Sequence, residues 1–338
     1  MDKNSNVKIS DVSKLAGVSV ATVSRVINNT CFVNPETREK VLKAVEELSY
    51  EPNLSARNLR RNTSGAILVI APNMTNPYYS NIIKGISETA RKYECSTFVC
   101  STNGDKDEEL ELMKILDSRR ADAAIILATN VDNDALLPYV KKYPVVFCSE
   151  YNPDLEIDRV SIDNYKAAYE ATEYLIRLGH KRVGMMSSVN DYISTKLRKQ
   201  GFIDACKAHG IKNAEKNIVY ASKDYSFSSA RSQAKDLFSK KNYVDALFCI
   251  SDILALGAIY GARECGLDVP NDVSILGFDN LEYSEMMVPQ ISTVNQPCYQ
   301  LGAVAMEKIQ EKLMNPDLEP TVEILKHELV VRGSTAQM

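Results

Sequence analysis

Apolar residues recur at helical spacing through the first 50 residues, and no strand-like run interrupts them. The pattern predicts helices on three apolar sets, which are Val12, Leu15 and Ala16, then Val23, Val26 and Ile27, then Val41, Leu42, Val45 and Leu48. Ser10, Ser19 and Asn34 are the expected N-caps, with Pro35 at the first helical position and Gly17 ending the first helix. The N-terminal part of the chain is therefore predicted to be all-helical.

From Gly65 onward, short apolar runs typical of β-strands alternate with amphipathic stretches such as 80–93 and 108–119. The predicted strands are 67–70, 97–100, 123–127 and 145–148, and then, in a second series, 183–186, 218–220, 246–250 and 274–278. Apolar runs without polar alternation belong to strands buried on both faces, as in parallel sheets covered by helices. The repeated series predicts two similar α/β lobes, joined to the helical part by a polar, basic connector at residues 51–64.

The composition, with 45% apolar and 25% charged residues, is that of a soluble globular protein. No apolar run is long enough to span a membrane, and the N-terminus lacks the apolar core of a secretory signal. Eight scattered cysteines and three distant histidines form no spaced ligand pattern. We therefore expect reduced thiols, a cytoplasmic location, no disulfide framework, no metal site and no cofactor.

The net charge of −4 conceals an asymmetry between the two parts of the chain. Residues 1–64 carry ten lysines and arginines against seven acidic residues, whereas the remaining residues carry 30 against 37. A basic head on an acidic body is typical of a DNA-binding module attached to a sensor.

The run VKISDVSKLAGVSVATVSRVINN, at residues 7–29, has the form of a helix-turn-helix. The start of its second helix would present Val20, Ala21 and Arg25 to base edges, because arginine reads guanine and small apolar groups contact thymine methyls. Hydroxyls suited to phosphate oxygens are carried by Ser19, Thr22 and Ser24. Asn28, at the end of the same helix, completes the predicted DNA-contacting set. The alternative is an ordinary three-helix knob with a surface arginine.

The motifs DVSKLAGVS, TVSRVIN and NPETR resemble the head of the lactose-repressor (LacI/GalR) family of transcription regulators. Similar landmarks continue to the C-terminus, namely NPYYS, SIDN, LGHKRVG, RKQGF, DALFCISD, VPNDVSILGFDN, ISTVNQP and ELVVRGST. The resemblance implies an α/β protein with a helix-turn-helix head at 1–50, a hinge at 51–64 and a two-lobed, periplasmic-binding-protein-like core at 65–338. It also implies a palindromic operator DNA and a homodimer. In the hinge, Arg57 and Leu59 match DNA-contacting positions, with Leu59 at the intercalating one.

The resemblance further implies a small effector in the cleft between the two lobes. It places Arg198 and Asp252 at effector-contacting positions, where an arginine and a carboxylate together can hold neighbouring hydroxyls of a sugar or ribose. Aromatic effector contacts fall on Tyr78 and Tyr79 of the N-P-Y-Y loop and on Tyr225. The remaining candidates are Glu150, Ser194 and Gln296. The alternatives are a structural ion pair for the charged residues and core packing for the tyrosines.

Other chemistry-bearing residues are assigned structural roles. His180 precedes a strand without a partner motif, and Asp163-Asn164 and Asp279-Asn280 are interpreted as turn and cap residues at strand ends. Phosphate-cradling and nucleophile motifs are absent from the sequence, which argues against an α/β enzyme. A solute-binding protein without a DNA-binding head is the other alternative. The sequence therefore predicts a non-enzymatic repressor controlled by an effector. It leaves open a nucleoside, a sugar or a phosphoprotein partner, and release or co-repression.

Overall fold

The structure, a computed structural model, describes residues 7–28, 31–50, 63–240 and 243–338. The chain divides into two compact units, Met1–Ser64 and Gly65–Met338. The predicted hinge residues Arg57 and Leu59 lie outside the described residues.

The head unit contains α1 (Ile9–Ala16), α2 (Val20–Asn28) and α3 (Pro35–Glu47). The three helices enclose a small core that includes Val12, Val23 and Val41, as the helical spacing predicts. Gly17 ends α1 in the left-handed conformation, with a φ of 65°, which glycine adopts without steric cost. Asn34 caps α3 by accepting a hydrogen bond from the Glu36 amide at 3.1 Å.

Two details of the head differ from the sequence prediction. Ser10 is not an N-cap, because α1 begins at Ile9 and the Asp11 carboxylate accepts a hydrogen bond from the Lys8 amide at 2.9 Å. Leu15 and Leu42 are half exposed and lie outside the apolar core, because the narrow contact surface of three short helices accommodates only part of each apolar stripe.

The core unit alternates strands and helices. Its strands are β1 (Ala66–Ala71), β2 (Ser96–Ser101), β3 (Ala123–Ile126), β4 (Val145–Cys148), β5 (Asp158–Ile162), β6 (Val183–Ser188), β7 (Ile218–Ala221), β8 (Ala246–Cys249), β9 (Ser274–Asp279), β10 (Ser292–Asn295), β11 (Val322–Leu325) and β12 (Glu328–Val330). Its helices are α4 (Pro77–Lys92), α5 (Lys106–Asp117), α6 (Asn133–Lys142), α7 (Asn164–Arg177), α8 (Ile193–Ala208), α9 (Phe227–Phe238), α10 (Asp252–Glu264), α11 (Tyr283–Met286) and α12 (Cys298–Met314), with a 3-10 turn at Ala214–Asn217.

The strands form two separate sheets, which define the two lobes. The first lobe has the strand order β11-β5-β4-β3-β1-β2, and the second has the order β12-β10-β9-β8-β6-β7. All pairings in the first sheet are parallel, and in the second sheet only the β10–β12 pairing, within the described residues, is antiparallel. Both the two-lobed architecture and the parallel sheets agree with the sequence prediction.

The chain passes between the lobes at residues 162–164, 295–298 and 325–328. At the second passage the chain leaves β10 and enters α12, which packs against α4 on the first sheet. Residues at these passages, such as Asn164 and Gln296, therefore lie where the two lobes meet.

Helices α4 and α12 approach each other at backbone contact distance. A Cβ built on Gly85 would lie 2.0 Å from the Tyr299 carbonyl oxygen, and one built on Gly302 would lie 2.0 Å from the Ile82 carbonyl oxygen. Both distances are far inside van der Waals contact, so only glycine fits at either position. This crossing places the start of α12 against Gly85, about two turns after Tyr78 and Tyr79 on the same helix.

None of the helices in the described ranges combines the length and apolar character needed to cross a lipid bilayer.

Candidate effector cleft and DNA-binding helix

The second helix of the head exposes the residues that the sequence assigns to DNA. Val20, Ala21 and Arg25 are exposed, whereas Val23 and Val26 on the opposite face are buried in the head core. The Ser19 hydroxyl caps α2 by accepting a hydrogen bond from the Thr22 amide at 3.1 Å, and the Ser19 and Thr22 hydroxyls are 2.9 Å apart. The exposed side of this helix therefore offers an arginine, two small apolar groups and two hydroxyls. Ser24 is half buried, and Asn28 is the last residue of α2.

A cleft of about 650 Å³ lies between the two lobes. Its walls are formed by segments that follow the carboxyl ends of β1, β2, β3, β6 and β7, which is where α/β sheets bind ligands. Tyr79 of the first lobe and Tyr225 of the second both line it. The polar lining is dominated by asparagines, namely Asn73, Asn76, Asn103, Asn130 and Asn190.

A layer of buried polar side chains lies at the junction of the lobes. The Tyr78 hydroxyl is 2.7 Å from the Ser149 hydroxyl and donates to Gln296 Oε1 at 3.2 Å. Gln296 Nε2 in turn donates to Asp279 Oδ1 at 2.7 Å. This hydrogen-bonded relay starts in the first lobe, passes through the second inter-lobe passage and ends in the second lobe.

A second cross-lobe contact joins Glu150 to the start of α8. Glu150 follows β4 in the first lobe, and its carboxylate accepts hydrogen bonds from both the amide (3.1 Å) and the hydroxyl of Ser194. Tyr192, the N-cap residue of α8, makes no side-chain capping bond. Glu150 therefore supplies from the opposite lobe the acceptor that a helix N-terminus requires.

Arg198 is buried on α8 with its guanidinium over the Phe278 ring, 3.7 Å from the ring centroid. Its Nε donates to Asn164 Oδ1 at 2.9 Å, and its Nη1 donates to the Ile250 carbonyl oxygen at 2.7 Å. Nη2 has no hydrogen-bond partner among the described residues. Arg198 is thus held rigidly and retains a free donor.

Asp252 is fully buried behind β9 and, like Arg198 and Asp279, is not among the residues that line the cleft. Its two carboxylate oxygens accept hydrogen bonds from the Thr293 hydroxyl at 2.6 Å and from the Leu281 amide at 2.7 Å. Gly277 makes room for it, since a Cβ there would lie 2.2 Å from Asp252 Oδ1. The contacts of Asp252 are those of a carboxylate that fixes the loop after β9. Its role as an effector contact stays a prediction.

Asp279 is a carboxylate that the sequence interpretation placed in a turn. It ends β9 with a φ of 110°, a strained value for a residue other than glycine, and its side chain turns toward Gln296 instead of capping a helix. By contrast, Asp163 does cap a helix, accepting a hydrogen bond from the Lys166 amide at 2.9 Å. Only the positive φ and the tertiary contact distinguish the two aspartates, and neither is visible in the sequence.

The tyrosines also differ from their predicted setting. Tyr78 and Tyr79 lie in the first turn of α4, which Asn76 caps through the Tyr78 amide at 3.0 Å, and not in a loop. Tyr225 adopts a positive φ of 58° and places its hydroxyl 3.2 Å from that of Thr195. The structure therefore brings together Tyr78, Tyr79, Glu150, Ser194, Arg198, Tyr225 and Gln296, while Asp252 lies behind them.

Burial shifts the ionisation of several of these groups. Desolvation raises the pKa of Asp279 to about 7, although the Arg198 charge and the Gln296 hydrogen bond oppose the shift. Desolvation and the nearby Asp279 charge raise the pKa of Asp252 to about 8. Burial likewise raises the pKa of Glu150, against the two Ser194 hydrogen bonds. No group of three or more His, Cys, Asp or Glu side chains in the described ranges is arranged to hold a metal ion.

These shifts predict a pH-dependent stability for the core unit. An acid whose pKa is higher in the folded state than in the unfolded state contributes stability at low pH, and this contribution is lost as the pH rises toward the folded-state pKa. Lowering the pH from about 8 to about 6 is therefore expected to raise the Tm by roughly 5 °C. Thermal melts between these pH values, on the wild type and on the Asp252→Asn/Asp279→Asn double variant, measure the change in Tm. The Tm of the double variant should depend less on pH than that of the wild type. A wild-type Tm that rises with pH in this window would contradict the raised pKa values of the two aspartates.

Comparisons with known proteins agree with both parts of this arrangement. Residues 8–53 match the family model described as bacterial regulatory proteins, lacI family. Residues 64–329 match the model described as periplasmic binding proteins and sugar binding domain of LacI family.

The similarity extends over the full chain. The HTH-type transcriptional repressor CytR of Escherichia coli (strain K12) is 33% identical over 96% of this chain and 95% of its own length. Catabolite control protein A of Priestia megaterium is 34% identical, covering 98% of this chain and 99% of its own. The lac repressor dimer bound to operator and the anti-inducer ONPF is 25% identical, with a TM-score of 0.87 over 98% of this chain and 99% of that one.

The junction RRNTSGAILVIAP, the loop SEYNPDLE and the ending RGST also resemble, within this family, the cytidine-responsive repressor. CytR and the lac repressor are named as repressors, not as enzymes. The helix-turn-helix head, the two parallel-sheet lobes and the cleft between them are thus accounted for together: the chain belongs to the lacI family of bacterial regulatory proteins.

Proposed function

We propose that this chain is a sequence-specific DNA-binding repressor, not an enzyme, whose affinity for a palindromic operator is controlled by a small effector bound between the core lobes. The supporting observation is that one chain carries an exposed recognition helix and a polar cleft between two lobes. Such a regulator acts where the chromosome is, in the cytoplasm. A solute-binding protein would account for the cleft but not for residues 8–53, which match the regulatory family.

For the effector, we propose that Arg198 and Asp279 form the main hydrogen bonds to its hydroxyl groups. Arg198 Nη2 is a free donor, and one oxygen of Asp279 remains after Gln296 takes the other. A ring hydroxyl can donate to the carboxylate while its neighbour accepts from the guanidinium. Tyr79 and Tyr225 offer apolar ring faces from opposite lobes. A nucleoside or a sugar has both features.

Effector control then follows from contacts that join the lobes. Glu150 holds the N-terminus of α8, and the Tyr78–Gln296–Asp279 relay joins the first lobe to the second. An effector that replaces or strengthens these bonds changes the relative stability of open and closed lobes. We propose that the hinge at 51–64, including Arg57 and Leu59, transmits this change to the DNA-binding heads, with Leu59 entering the minor groove as a wedge.

Replacing Arg25 with alanine tests the recognition helix. Losing a two-bond guanine contact is expected to cost about 1–3 kcal/mol on the operator and to relax specificity at one base position. Binding to random DNA should fall much less. Competition titrations on both DNAs measure the difference, and Lys14→Ala, at an exposed position of the preceding helix, is the matched control.

Equal losses of affinity on operator and random DNA would show that Arg25 contacts only phosphate.

A gel-phasing assay on the same operator tests whether Leu59 is a wedge in the minor groove. Leu59→Ala should lower DNA bending and operator affinity together without changing effector affinity.

We also expect a homodimer, because each recognition helix reads only half of a palindrome. Large apolar side chains remain exposed on the second lobe at Tyr260, Met286 and Val288, and on the edge strand β2 at Phe98. Burying such surfaces between two copies would remove them from water. Sedimentation equilibrium at micromolar concentration should give the mass of two chains, and a monomer or stable tetramer would contradict this.

A further inference from the structure

A second cavity lies in the second lobe, at the end of the sheet away from the effector cleft. Its volume is about 720 Å³, within the size range of pockets that bind small molecules. Its walls come mainly from residues 179–182, which lie between α7 and β6, and from residues 209–212, which follow α8. This is the amino end of β6, whereas Asn190, beyond the carboxyl end of β6, lines the effector cleft. No described residue lines both cavities.

The walls of this second cavity are positively charged. They contain Lys181, Arg182 and Lys212 together with His180 and His209, and no aspartate or glutamate of the described ranges lines them. The core unit as a whole has the opposite balance, with 30 lysines and arginines against 37 acidic residues after residue 64. The cavity therefore concentrates cations on an otherwise acidic body.

Two of the three cations have no partner in the part of the chain that the structure describes. The side chains of Lys181 and Lys212 are exposed and make neither a hydrogen bond nor an ion pair there. Arg182, by contrast, donates from Nε to the Tyr243 carbonyl oxygen at 2.8 Å, and its Nη2 lies 3.7 Å from the Asp245 carboxylate. Two ammonium groups are thus available to an anion.

Two carboxylates close to the cavity already have partners. Besides the Arg182 guanidinium, the Asp245 carboxylate accepts hydrogen bonds from the amides of Lys181 at 3.4 Å and Arg182 at 3.1 Å. Glu173 is 3.1 Å both from His209 Nε2 and from an Arg177 guanidinium nitrogen. Neither carboxylate is paired with the Lys181 or the Lys212 ammonium group.

His180 adds a buried polar group to the wall. The residue is 3% exposed, and its Nε2 donates to the Ala336 carbonyl oxygen at 3.2 Å, which fixes the ring. Its Nδ1 lies 3.5 Å from Asp245 Oδ1 and makes no hydrogen bond within the described ranges. A buried polar atom without a hydrogen bond is uncommon in folded proteins. This end of the lobe therefore combines unpaired ammonium groups with an unsatisfied ring nitrogen.

We propose that the second cavity binds a small phosphate monoester through Lys181, Arg182 and Lys212. A phosphate monoester carries a charge of about −1.5 to −2 near neutral pH and three strong acceptor oxygens, so it can bond to several cations at once. The volume of the cavity suits a small molecule better than a segment of another protein. The site lies outside the effector cleft and goes beyond the proposed function.

The three histidines of the chain provide a local test of binding. His180 and His209 line the cavity, whereas His327 lies between β11 and β12 and is 2.8 Å from Glu170. Inorganic phosphate is titrated into the full chain with isotope-labelled histidine, at constant pH and ionic strength. The imidazole NMR signals of His180 and His209 should move to saturation, and the His327 signal should stay in place.

The variants His209→Gln and His327→Gln assign the three signals. Equal movement of all three signals, or the same movement with sodium chloride, would show ionic screening alone and would contradict the site.

A pair of double variants tests which cations bind the phosphate. Lys181→Ala/Lys212→Ala removes both unpaired ammonium groups and should weaken phosphate binding by on the order of 10-fold or more. Lys84→Ala/Lys92→Ala removes two exposed positive charges from α4 in the first lobe and should leave the affinity unchanged. Equal losses in the two double variants, or none in the first, would show that the cavity is not the phosphate site.

Two further probes test the size of the ligand. Glycerol 3-phosphate should bind at least as tightly as inorganic phosphate, and a neutral peptide with one phosphoserine should bind more weakly. Tighter binding of the peptide would contradict a small-molecule ligand. No signal change with inorganic phosphate or glycerol 3-phosphate at about 10 mM would mean that there is no such site. Neither operator DNA nor a cleft ligand is present, so these outcomes do not depend on the proposed function.

Discussion

The Arg198→Ala variant is expected to lose on the order of 2–4 kcal/mol of effector binding, which corresponds to a loss of affinity of about 30-fold to 1000-fold. The cost is large because Arg198 is buried and held by Asn164 and Ile250, so its donor reaches the ligand without losing conformational freedom. Removing it leaves a ligand hydroxyl without this buried partner. Calorimetry with a compound that binds the wild type measures the loss.

Comparison of two aspartate variants identifies the carboxylate that binds the effector together with Arg198. Asp279→Ala should approach the Arg198→Ala loss in effector affinity, because Asp279 carries the free acceptor oxygen. Asp252→Ala should chiefly lower stability, because it breaks the bonds to Thr293 and Leu281. A larger affinity loss in Asp252→Ala than in Asp279→Ala would restore Asp252 as the contact that the family resemblance implies. Operator binding without effector is expected to survive in all three variants.

The difference between these two aspartates shows what the sequence could and could not predict. Each follows or ends an apolar strand of the second lobe, so each is expected at the carboxyl edge of the sheet. Their roles are separated by Gly277, which leaves space for Asp252 behind β9, and by the positive φ that turns Asp279 toward Gln296. Both are tertiary features without a local signal.

Strand prediction succeeded for continuous apolar runs, including those of the edge strands β2 and β7, and failed for two polar interior strands and for the edge strand β11. The uniformly buried runs at β1, β3, β4, β8 and β9 were all predicted, because their apolar character is continuous. The missed strands are β5, β10 and β11. In β5 the Asp158 carboxylate accepts hydrogen bonds from Thr321, and in β10 the Thr293 hydroxyl donates to Asp252, so polar residues are buried in both strands. The third, β11, is an edge strand with Val322 and Ile324 exposed.

The pair Asn76-Pro77 is a local signal for the start of α4. Asn34-Pro35 was correctly interpreted as an N-cap followed by the first helical residue, and Asn76-Pro77 has the same form. Applied consistently, it places Tyr78 and Tyr79 in the first turn of α4. The asparagines that follow successive strands, such as Asn73, Asn103 and Asn190, were a second signal for the cleft wall.

The crossing of α4 and α12 yields a prediction in which two physical effects have opposite signs. Helix propensity alone would make Gly85→Ala stabilising by about 1 kcal/mol. The close approach predicts the reverse, because the new Cβ would lie 2.0 Å from the Tyr299 carbonyl oxygen and both helices are fixed on the first sheet. Forcing them apart is expected to cost about 3 kcal/mol or more and to lower the Tm by on the order of 10 °C.

Thermal melts of Gly85→Ala and Gly302→Ala measure this cost, with Lys84→Ala, at an exposed position of the same helix, as the control that should change little. The two glycine variants should also weaken effector binding, since moving α4 away from α12 would displace Tyr78, whose hydroxyl donates to Gln296 just before α12. Because both glycines serve the same contact, the double variant should cost less than the sum of the single ones. A Tm for Gly85→Ala at or above the wild-type value would show that the helices can separate freely, and the crossing would then not be what fixes the first-lobe half of the site.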